Sequence, residues 1–373
     1  MSTATAEAEA GATYALVTGG GTGGHVYPAL AVANELVRRG HARETIRFVG
    51  ARRGLEAQVV PAAGYAIDLL PGRGLQRRWS LRALVANVGA LAGTIAALVR
   101  AFRIVRRRRP RVVLGVGGYA SFACLLAARA RRVPAVVHEQ NAAPGLSNRI
   151  AVRLGARAAV SLPGTSLSGG VLTGNPVRVS VAQVERRPDP RRPLVAVVGG
   201  SLGARRLNDA ALGLYERWRS RDDVAVCHVT GRRNHAECAA RLDSIRRDDD
   251  RLDYSLVPYE ENMAALYTRT AVAVCRAGAV TVAELAAAGI PAVLVPLPGA
   301  PADHQTRNAQ SLAGAGAALL IPDDELDAAC LAATLDELLH DDERREAMAA
   351  AAHRLARPDA AARVADLVEA VAR

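Results

Sequence analysis

The chain has 373 residues, half of them apolar, so it is long enough for two domains with full cores and too apolar to be disordered. Its net charge of +12 indicates anionic partners, namely nucleic acid, a membrane surface or phosphorylated substrates, unless an arginine-rich composition alone accounts for it. Aromatic residues make up only 3%, which argues against base-stacking recognition of single-stranded nucleic acid. The five cysteines form no CxxC pair and match no metal-ligand spacing, so reduced thiols of a cytosolic protein are expected.

The amino-terminal part of the chain carries its most distinctive stretch. Residues 1–12 lack the basic start and apolar core of a signal peptide and predict a disordered tail. The next residues predict a short apolar strand at 14–17, a glycine-dense turn at 18–24 and a helix at 26–38. Such a unit presents backbone N–H groups and a helix N-terminus to an anionic ligand. His25 stands where the turn becomes the helix, so its ring is expected to face that ligand.

The same turn fits the GxGxxG pattern of dinucleotide-binding folds through Gly19, Gly21 and Gly24. That pattern requires an acidic residue at the end of the second strand, predicted at 46–49. Glycine, alanine and two arginines follow that strand at 50–53, which disfavours NAD. An NADP-dependent oxidoreductase stays open, because an arginine can contact a 2′-phosphate.

A long helix is predicted over residues 81–102 from its apolar spacing. Residues 83–99 carry no charge, and the length of this uncharged stretch is at the lower limit for a membrane-spanning helix. Asn87 and two glycines dilute this segment, and alternating strands and helices continue on both sides, so a core helix covering a sheet is expected. Arginines flank it and favour docking on an anionic leaflet, with a solvated helix end as the alternative. They are Arg77, Arg78, Arg82, Arg100, Arg103 and residues 106–109.

Two further glycine turns follow predicted strands, at 117–121 after strand 112–115 and at 199–205 after strand 194–198. Three such turns predict an α/β protein, in which two Rossmann-like, doubly wound domains face a cleft. Strands and helices continue to alternate through the second half. The strands predicted there are 194–198, 224–229, 255–257, 272–275, 292–295 and 318–320.

Three other segments bear on the organisation of the chain. A strand at 133–137 delivers the sequence His-Glu-Gln-Asn of 138–141 at its carboxyl end, which faces the ligand in open α/β sheets. Residues 184–193 are rich in proline and arginine and are interpreted as the interdomain connection. The last helix, 359–372, is expected to cross back to the first domain.

Six strings occur in order across nearly the whole chain: GGGTGGHVYPALAVA, GVGGYAS, HEQNAAPGLSNR, TGNPVR, GGSLGARRLN and RAGAVTVAELAAAGIPAVLVPLP. Together they closely resemble the MurG family of peptidoglycan glycosyltransferases, which add N-acetylglucosamine to lipid I. The resemblance implies a glycosyltransferase B fold. Residues 13–177 and the helix 359–373 would form the acceptor and membrane-associated domain, and residues 178–358 would bind UDP-N-acetylglucosamine (UDP-GlcNAc).

The resemblance also implies an inverting, metal-independent reaction without a cofactor, which gives a β-1,4 link to the muramyl sugar of the undecaprenyl pyrophosphoryl acceptor. The expected location is peripheral, on the cytoplasmic face of the cell membrane. Expected partners are UDP-GlcNAc, lipid I, an anionic membrane surface and proteins of cell-wall synthesis and division, but not nucleic acid. A UDP-GlcNAc 2-epimerase-like isomerase and a catalytically inert nucleotide-sugar-binding protein stay open as alternatives.

Inverting transfer needs a base on the acceptor hydroxyl and stabilisation of the leaving diphosphate. His25 is predicted to be the base, since imidazole titrates near neutrality; an orienting or helix-capping role is the alternative. Glu139 is predicted to position the acceptor or assist His25, or to make a structural hydrogen bond.

The resemblance assigns further residues to binding of the acceptor and the donor. Structural roles are the alternatives: the glycines can form tight turns, the asparagines can cap helices, and the arginine can form a linker salt bridge. The acceptor residues are Thr22, Gly23, Gly24, Gly117, Gly118 and Tyr119 for the pyrophosphate, and Asn141 and Asn148 for the sugar. The donor residues are Arg178, Gly200, Ser201, Gly203, Ala279, Val280 and Thr281 for the diphosphate, Glu284 for the ribose and Gln305 for the sugar.

The chain departs from the family pattern at three places. Leu202 replaces the glutamine of GGSQGA, residues 121–123 replace a common SGP, and Ala277 replaces the serine of CRSGA. These changes concern the affinity and preference for the donor more than the reaction itself.

Overall fold

The computed structural model describes residues 13–21, 23–52, 54–71, 81–200 and 203–372, with side chains of the long helix from residue 93 onward. The predicted tail, Thr22 and Ser201 therefore lie outside the described residues. The chain divides into two compact units, a first unit of Met1–Pro176 with Asp359–Arg373 and a second unit of Val177–Pro358.

Seven described strands of the first unit form one parallel sheet in the order β3-β2-β1-β4-β5-β6-β7. Most of these strands are short apolar runs buried on both faces, as expected when helices cover a parallel sheet. The strands are β1 (Ala15–Thr18), β2 (Ile46–Ala51), β3 (Ile67–Leu70), β4 (Val112–Gly115), β5 (Ala135–Glu139), β6 (Arg157–Val160) and β7 (Gly170–Leu172). The helices between them are α1 (Gly23–Arg38), α2 (Glu56–Ala62), α3 (Leu81–Arg108), α4 (Gly118–Ala130) and α5 (Leu146–Arg153).

The strand order of this sheet reverses between β1 and β4. Thr18 of β1 pairs with Val49 on one side and with Gly115 on the other. The chain therefore leaves β1 and β4 side by side, with the turn of Gly19 next to that of Val116. In open α/β sheets ligands bind at this switch point.

The second unit repeats the design with six described strands in the parallel order β10-β9-β8-β11-β12-β13. Its strands are β8 (Leu194–Val198), β9 (Ala225–Val229), β10 (Asp253–Val257), β11 (Thr270–Cys275), β12 (Ala292–Leu294) and β13 (Ala318–Leu320). Its helices are α6 (Val179–Ala182), α7 (Arg205–Trp218), α8 (His235–Ile245), α9 (Met263–Arg269), α10 (Ala279–Ala288), α11 (His304–Gly314), α12 (Ala328–His340) and α13 (Asp342–Leu355). Its switch point lies between β8 and β11.

The last helix, α14 (Ala360–Val371), belongs to the first unit, as expected. Its Val364, Ala365 and Val368 are fully buried and pack in one cluster with Val32 and Leu36 of α1. This packing explains why the chain returns to the first unit after completing the second.

Two interpretations of the sequence need correction. The proline-rich segment 184–193 is not the connection between the units, because the division falls after Pro176 and this segment lies inside the second unit. His138 and Glu139 do not follow β5 but form its last two residues.

Helix α3 separates its residues into two faces over its described part. Ala97, Ala101 and Val105 are buried against the sheet. Ile95 and Val99 are 56% and 44% exposed. None of the described helices combines the length and apolar character needed to cross a bilayer.

Replacing Val364 of α14 by alanine should lower the free energy of unfolding by about 2 kcal/mol, because it removes buried methyl groups and leaves a cavity. The matched change Val171→Ala on strand β7, where the valine is 40% exposed, should cost less than about 0.5 kcal/mol. Urea unfolding followed by circular dichroism measures both. Equal losses would contradict the docking of α14 on the first unit.

Candidate active site

The turns after β1 and β4 approach each other closely at the switch point of the first unit. A Cβ atom on Gly19 would lie 2.3 Å from Cγ2 of Val116, and one on Gly118 would lie 2.7 Å from the carbonyl oxygen of Gly20. Gly118 also has a φ of +84°, which L side chains rarely adopt. Glycine is therefore required here for packing as well as for conformation.

Two helices begin at these turns and point their N-termini toward the same edge of the sheet. Helix α1 begins at Gly23, and α4 begins at Gly118 after the cap residue Gly117, which makes no side-chain cap hydrogen bond. A helix N-terminus offers backbone N–H groups and a partial positive charge. Gly23, Gly24, Gly117 and Gly118 thus lie where main-chain N–H groups and helix N-termini favour an anion.

The side chain of Tyr119 is directed away from such a role. Its hydroxyl lies 3.0 Å from the carbonyl oxygen of Gly93 in α3 and 3.2 Å from that of Pro71. The hydroxyl donates to main-chain carbonyls and helps to hold α3 against α4. The contribution of Tyr119 to an anion site would come from its backbone N–H.

The imidazole of His25 is oriented by the main chain. Its Nδ1 lies 3.0 Å from the carbonyl oxygen of Gly20. Because a carbonyl only accepts hydrogen bonds, Nδ1 carries the proton and Nε2 has the lone pair. Nε2 is 2.9 Å from the position that a Cβ atom on Gly117 would take, so it faces the second glycine turn.

Glu139 is buried at the end of β5 and organises the loop that follows. Its Oε1 accepts from the backbone N–H of Asn141 at 3.1 Å, and its Oε2 accepts from the backbone N–H of Gly145 at 2.9 Å. The amide of Asn148 donates to Oε2 at 2.8 Å. The structure therefore joins three predicted site residues in one cluster, in which the carboxylate shapes the loop.

A second buried group ties this loop to the turn after β4. Nε2 of His138 lies 3.0 Å from the carbonyl oxygen of Gly174, and its Nδ1 lies 3.0 Å from the amide nitrogen of Gln140. The same amide nitrogen donates to the carbonyl oxygen of Val116 at 3.0 Å. Burial, with a smaller contribution from His25, lowers the pKa of His138 to about 4, so its ring is neutral near pH 7.

Sequence reasoning assigned no role to Glu56, the first residue of α2. Only 2% of it is exposed, and its two oxygens accept from the backbone N–H groups of Gly21 and Ala51 at 2.8 and 2.7 Å. Such a residue is hard to find from sequence, because its partners are 35 and 5 residues away. The only local signal is that glycines at 50 and 54 flank the end of the second strand.

The second unit packs its glycine turns in the same way. A Cβ atom on Gly231, after β9, would lie 2.5 Å from Cα of Gly203, and one on Gly203 would lie 2.6 Å from the carbonyl oxygen of Thr230. Gly200 and Gly203 both have a φ of +76°. Helix α7 begins directly after this turn, with no side-chain cap hydrogen bond at Ala204.

Helix α10 brings a second N-terminus to this switch point. Its strand β11 pairs with β8, and Cys275 lies opposite Val198 at the carboxyl ends. Ala279, Val280 and Thr281 form the first turn of α10, which lacks a side-chain cap. The N-termini of α7 and α10, together with Gly200 and Gly203, thus lie at the carboxyl ends of β8 and β11, where main-chain N–H groups favour an anion.

Arg178 and Glu284 form an ion pair in the second unit. Nη2 of Arg178 lies 3.1 Å from Oε1 of Glu284, and the Tyr267 hydroxyl lies 3.3 Å from Oε2. Burial raises the pKa of Glu284, and Arg178 opposes this effect. The structure therefore pairs two residues that the sequence assigned to separate parts of the donor.

Gln305 lies in the first turn of α11. Its Oε1 accepts from the backbone N–H of Leu297 at 3.0 Å and so fixes the loop after β12. Asn308, one turn further on, is buried and donates to the carbonyl oxygen of Ala277 at 3.0 Å. The start of α11 thereby supports the turn that leads into α10.

A buried histidine also supports the donor-side turn. Nδ1 of His228 in β9 lies 2.8 Å from the Tyr254 hydroxyl, and its Nε2 lies 3.1 Å from Oδ1 of Asn208. The Asn208 amide in turn donates to the carbonyl oxygen of Thr230 at 3.1 Å. This chain of contacts ends at the residue against which Gly203 packs.

Two parallel sheets, each with glycine turns and helix N-termini at its switch point, are typical of the glycosyltransferase B fold. Residues 15–160 match the glycosyltransferase family 28 N-terminal domain, and residues 194–364 match the corresponding C-terminal domain. The chain belongs to glycosyltransferase family 28, so it is a transferase rather than an oxidoreductase or an isomerase.

Comparison with individual proteins shows which members of this family the chain is similar to. The UDP-N-acetylglucosamine--N-acetylmuramyl-(pentapeptide) pyrophosphoryl-undecaprenol N-acetylglucosamine transferase of Alkalilimnicola ehrlichii is 44% identical over 356 residues, which cover 94% of this chain and 96% of that protein. The crystal structure of Acinetobacter baumannii MurG matches with a TM-score of 0.76 and 28% identity, covering 96% and 99% of the two chains. A UDP-GlcNAc 2-epimerase from Neisseria meningitidis, at 13% identity and a TM-score of 0.65, covers 94% of this chain and 98% of its own and shares the fold alone.

The stability of the second unit should fall as the pH falls below about 6.5, because His228 is buried in its neutral form. Burial lowers the pKa of His228 to about 3, whereas an unfolded histidine titrates near 6.5. Between these values the unfolded chain binds one more proton than the folded chain. This residue alone therefore lowers the free energy of unfolding by up to about 1.4 kcal/mol for each pH unit.

Urea unfolding between about pH 7 and pH 5, followed by Trp218 fluorescence in a Trp79→Phe background, measures this loss. His228→Gln should flatten the dependence on pH, and His340→Gln at an exposed position should leave it unchanged. The same slope in both variants would show that His228 is not the group responsible.

Proposed function

We propose that this chain transfers N-acetylglucosamine from UDP-GlcNAc to lipid I, the undecaprenyl-pyrophosphoryl N-acetylmuramyl-pentapeptide, and makes lipid II for peptidoglycan synthesis. The observation that carries the proposal is that each unit brings glycine turns and helix N-termini together at its switch point, an arrangement that favours a bound anion. The reaction has two pyrophosphate-bearing substrates, so it needs two such sites. The first unit would bind the acceptor and the second unit the donor.

In the proposed reaction His25 is the general base. Its Nε2 takes the proton of the muramyl 4-hydroxyl while that oxygen attacks the anomeric carbon of N-acetylglucosamine. The bond from this carbon to the β-phosphate oxygen breaks, and its electron pair leaves with UDP. One displacement inverts the configuration and gives the β-1,4 link. The Nδ1 hydrogen bond to Gly20 supports this role, because it keeps the lone pair on Nε2.

The leaving diphosphate would be stabilised by main-chain N–H groups and one guanidinium. The first turns of α7 and α10 provide the N–H groups, in preorganised positions that cost little to arrange in the transition state. Arg178 would add the positive charge, oriented by its hydrogen bond to Glu284. Glu284 would accept hydrogen bonds from the ribose hydroxyls, and Gln305 would contact the transferred sugar.

On the acceptor side the N-termini of α1 and α4 would bind the pyrophosphate of lipid I. Asn141 and Asn148 would contact the muramyl sugar from the loop that Glu139 holds. The hydrogen bonds of Glu139 to this loop support a positioning role for the carboxylate.

The outer face of α3 would hold the protein on the cytoplasmic leaflet, as a peripheral membrane protein. Ile95, Val99 and Phe102 follow one another at helical spacing and are 56%, 44% and 37% exposed. Arg100 and Arg103 are exposed beside them. Apolar side chains within an arginine fringe suit insertion into an anionic interface. Arg77, Arg78 and the side chain of Arg82, also expected in this fringe, lie outside the described residues.

The cytoplasmic side is favoured by the cysteines. Cys124, Cys227, Cys238 and Cys275 are buried free thiols, and Cys330 is a free thiol of intermediate exposure. Free thiols of this kind are typical of a reducing compartment.

Transfer of labelled sugar from UDP-GlcNAc to a lipid I analogue tests the proposal directly, with UDP-glucose as the competing donor. Label should appear in the lipid product only when both substrates are present. Binding of UDP-GlcNAc without any transfer would instead indicate an inert nucleotide-sugar-binding protein.

Replacing His25 by alanine should reduce turnover by about 10²- to 10⁴-fold, the usual contribution of a general base. The dissociation constant for UDP-GlcNAc, measured by calorimetry, should stay near the wild-type value, because the donor binds to the other unit. His340→Ala, at an exposed position of the second unit, serves as control. Equal loss of turnover and donor binding would reassign His25 to a structural role.

The double change Ile95→Glu with Val99→Glu should weaken binding to phosphatidylglycerol-containing vesicles by about 10-fold or more, because it removes two insertable apolar groups. Co-sedimentation measures this binding. The control pair Val171→Glu with Val179→Glu changes the net charge equally at exposed valines elsewhere. Equal weakening by both pairs would show that only the overall charge matters and would remove α3 from the proposal.

A further inference from the structure

Glu56 occupies a space that three glycines leave for it. A Cβ atom on Gly20, Gly50 or Gly54 would lie 2.1, 2.3 or 2.1 Å from the nearest atom of the Glu56 side chain. Gly20 lies in the turn after β1, Gly50 lies within β2, and Gly54 lies in the segment that connects β2 to α2. The absence of side chains at these three positions therefore leaves room for the Glu56 carboxylate and fixes where it lies.

Both oxygens of Glu56 act as hydrogen-bond acceptors, which is the role of an ionised carboxylate. Oε1 accepts from the backbone N–H of Ala51, and Oε2 accepts from the backbone N–H of Gly21. Glu56 also stands in the first turn of α2, where the helix dipole favours a negative charge. Charge-assisted hydrogen bonds of this kind are about twice as strong as neutral ones.

The hydrogen bond from Gly21 connects Glu56 with His25 through one peptide group. The N–H of Gly21 and the carbonyl of Gly20 belong to one peptide group. At one end this group donates to Glu56 at 2.8 Å, and at the other end it accepts from Nδ1 of His25 at 3.0 Å. Hydrogen bonds in a chain polarise one another, so a carboxylate on the N–H strengthens the carbonyl as an acceptor.

We propose that Glu56 is a positioning residue for the transfer reaction, which orients His25 through the Gly20–Gly21 peptide group and keeps the proton on Nδ1. The carboxylate fixes the plane of the peptide, the carbonyl then fixes the imidazole, and the lone pair of the neutral ring is kept on Nε2. This inference rests on the proposed role of His25 as the base.

The first test is the tautomer of His25, read from two-bond ¹⁵N–¹H correlations and assigned by its loss in His25→Ala. In the wild-type protein the proton should be on Nδ1, and in Glu56→Gln a substantial share should move to Nε2. Glu139→Gln is the matched control, since Glu139 is a buried carboxylate of the same unit that also accepts two backbone N–H bonds. This control should leave the His25 signals unchanged.

The second test is a double-mutant cycle on turnover. Glu56→Gln should reduce kcat by about 10-fold, the effect of losing one charge-assisted hydrogen bond, with little change in KM for UDP-GlcNAc. In the His25→Ala background the same change should have no further effect, because there is no imidazole left to orient.

Several results would overturn the inference. These are a wild-type His25 protonated on Nε2, equal shifts in Glu56→Gln and Glu139→Gln, or an undiminished effect of Glu56→Gln without His25. Should Glu56→Gln fail to fold, Glu56→Asp keeps the charge with a shorter reach, and both readouts apply to it. Absence of transfer in the wild-type protein would refute the proposed function, and normal turnover of His25→Ala would refute the role of His25 as the base. In either case the tautomer measurement would still decide whether Glu56 orients the ring.

Discussion

The close approach of main chain to main chain at the two switch points is the constraint on which the sites depend. In the first unit Gly118 packs on the carbonyl of Gly20, and in the second Gly231 packs on Gly203. With no Cβ atoms between them, the turns present N–H groups rather than side chains to a ligand. Ala277 stands where the family pattern has a serine. Because Ala277 is buried and its carbonyl accepts a hydrogen bond from Asn308, the main-chain donors of this turn stay in place.

The two units have similar glycine turns but differ in the buried side chains around them. In the first unit His25, Glu56 and Glu139 are linked to backbone groups of the turns and loops, which suits the positioning of a base. In the second unit Arg178 and Glu284 bind each other at 3.1 Å, which fixes the orientation of both side chains. In both units a neutral buried histidine links one of these turns to neighbouring strands, because an imidazole can donate and accept at once.

The parts of the fold that sequence could predict are those with a local cause. The strands 112–115, 194–198 and 318–320 were predicted with their observed bounds, because each is an apolar run that ends at a turn. Strand β7 was missed, since its exposed residues carry no pattern. His138 and Glu139 were placed after β5, because the pairing that extends this strand, with Ala159 and Val160 of β6, joins residues that are distant in sequence. The contacts of Glu56 could not be predicted for the same reason.

The indirect link from Glu56 to His25 would have an electrostatic advantage if the site binds pyrophosphate as proposed. A carboxylate in direct contact with the imidazole would stand near the bound anion, and two like charges about 4 Å apart repel by roughly 4 kcal/mol at an effective dielectric constant near 20. The Gly20–Gly21 peptide transmits the orientation while the charge stays buried against Ala51. The positive ends of α1 and α4 would then remain the main electrostatic feature of the proposed acceptor site. A base can thus be fixed beside an anion site without weakening it.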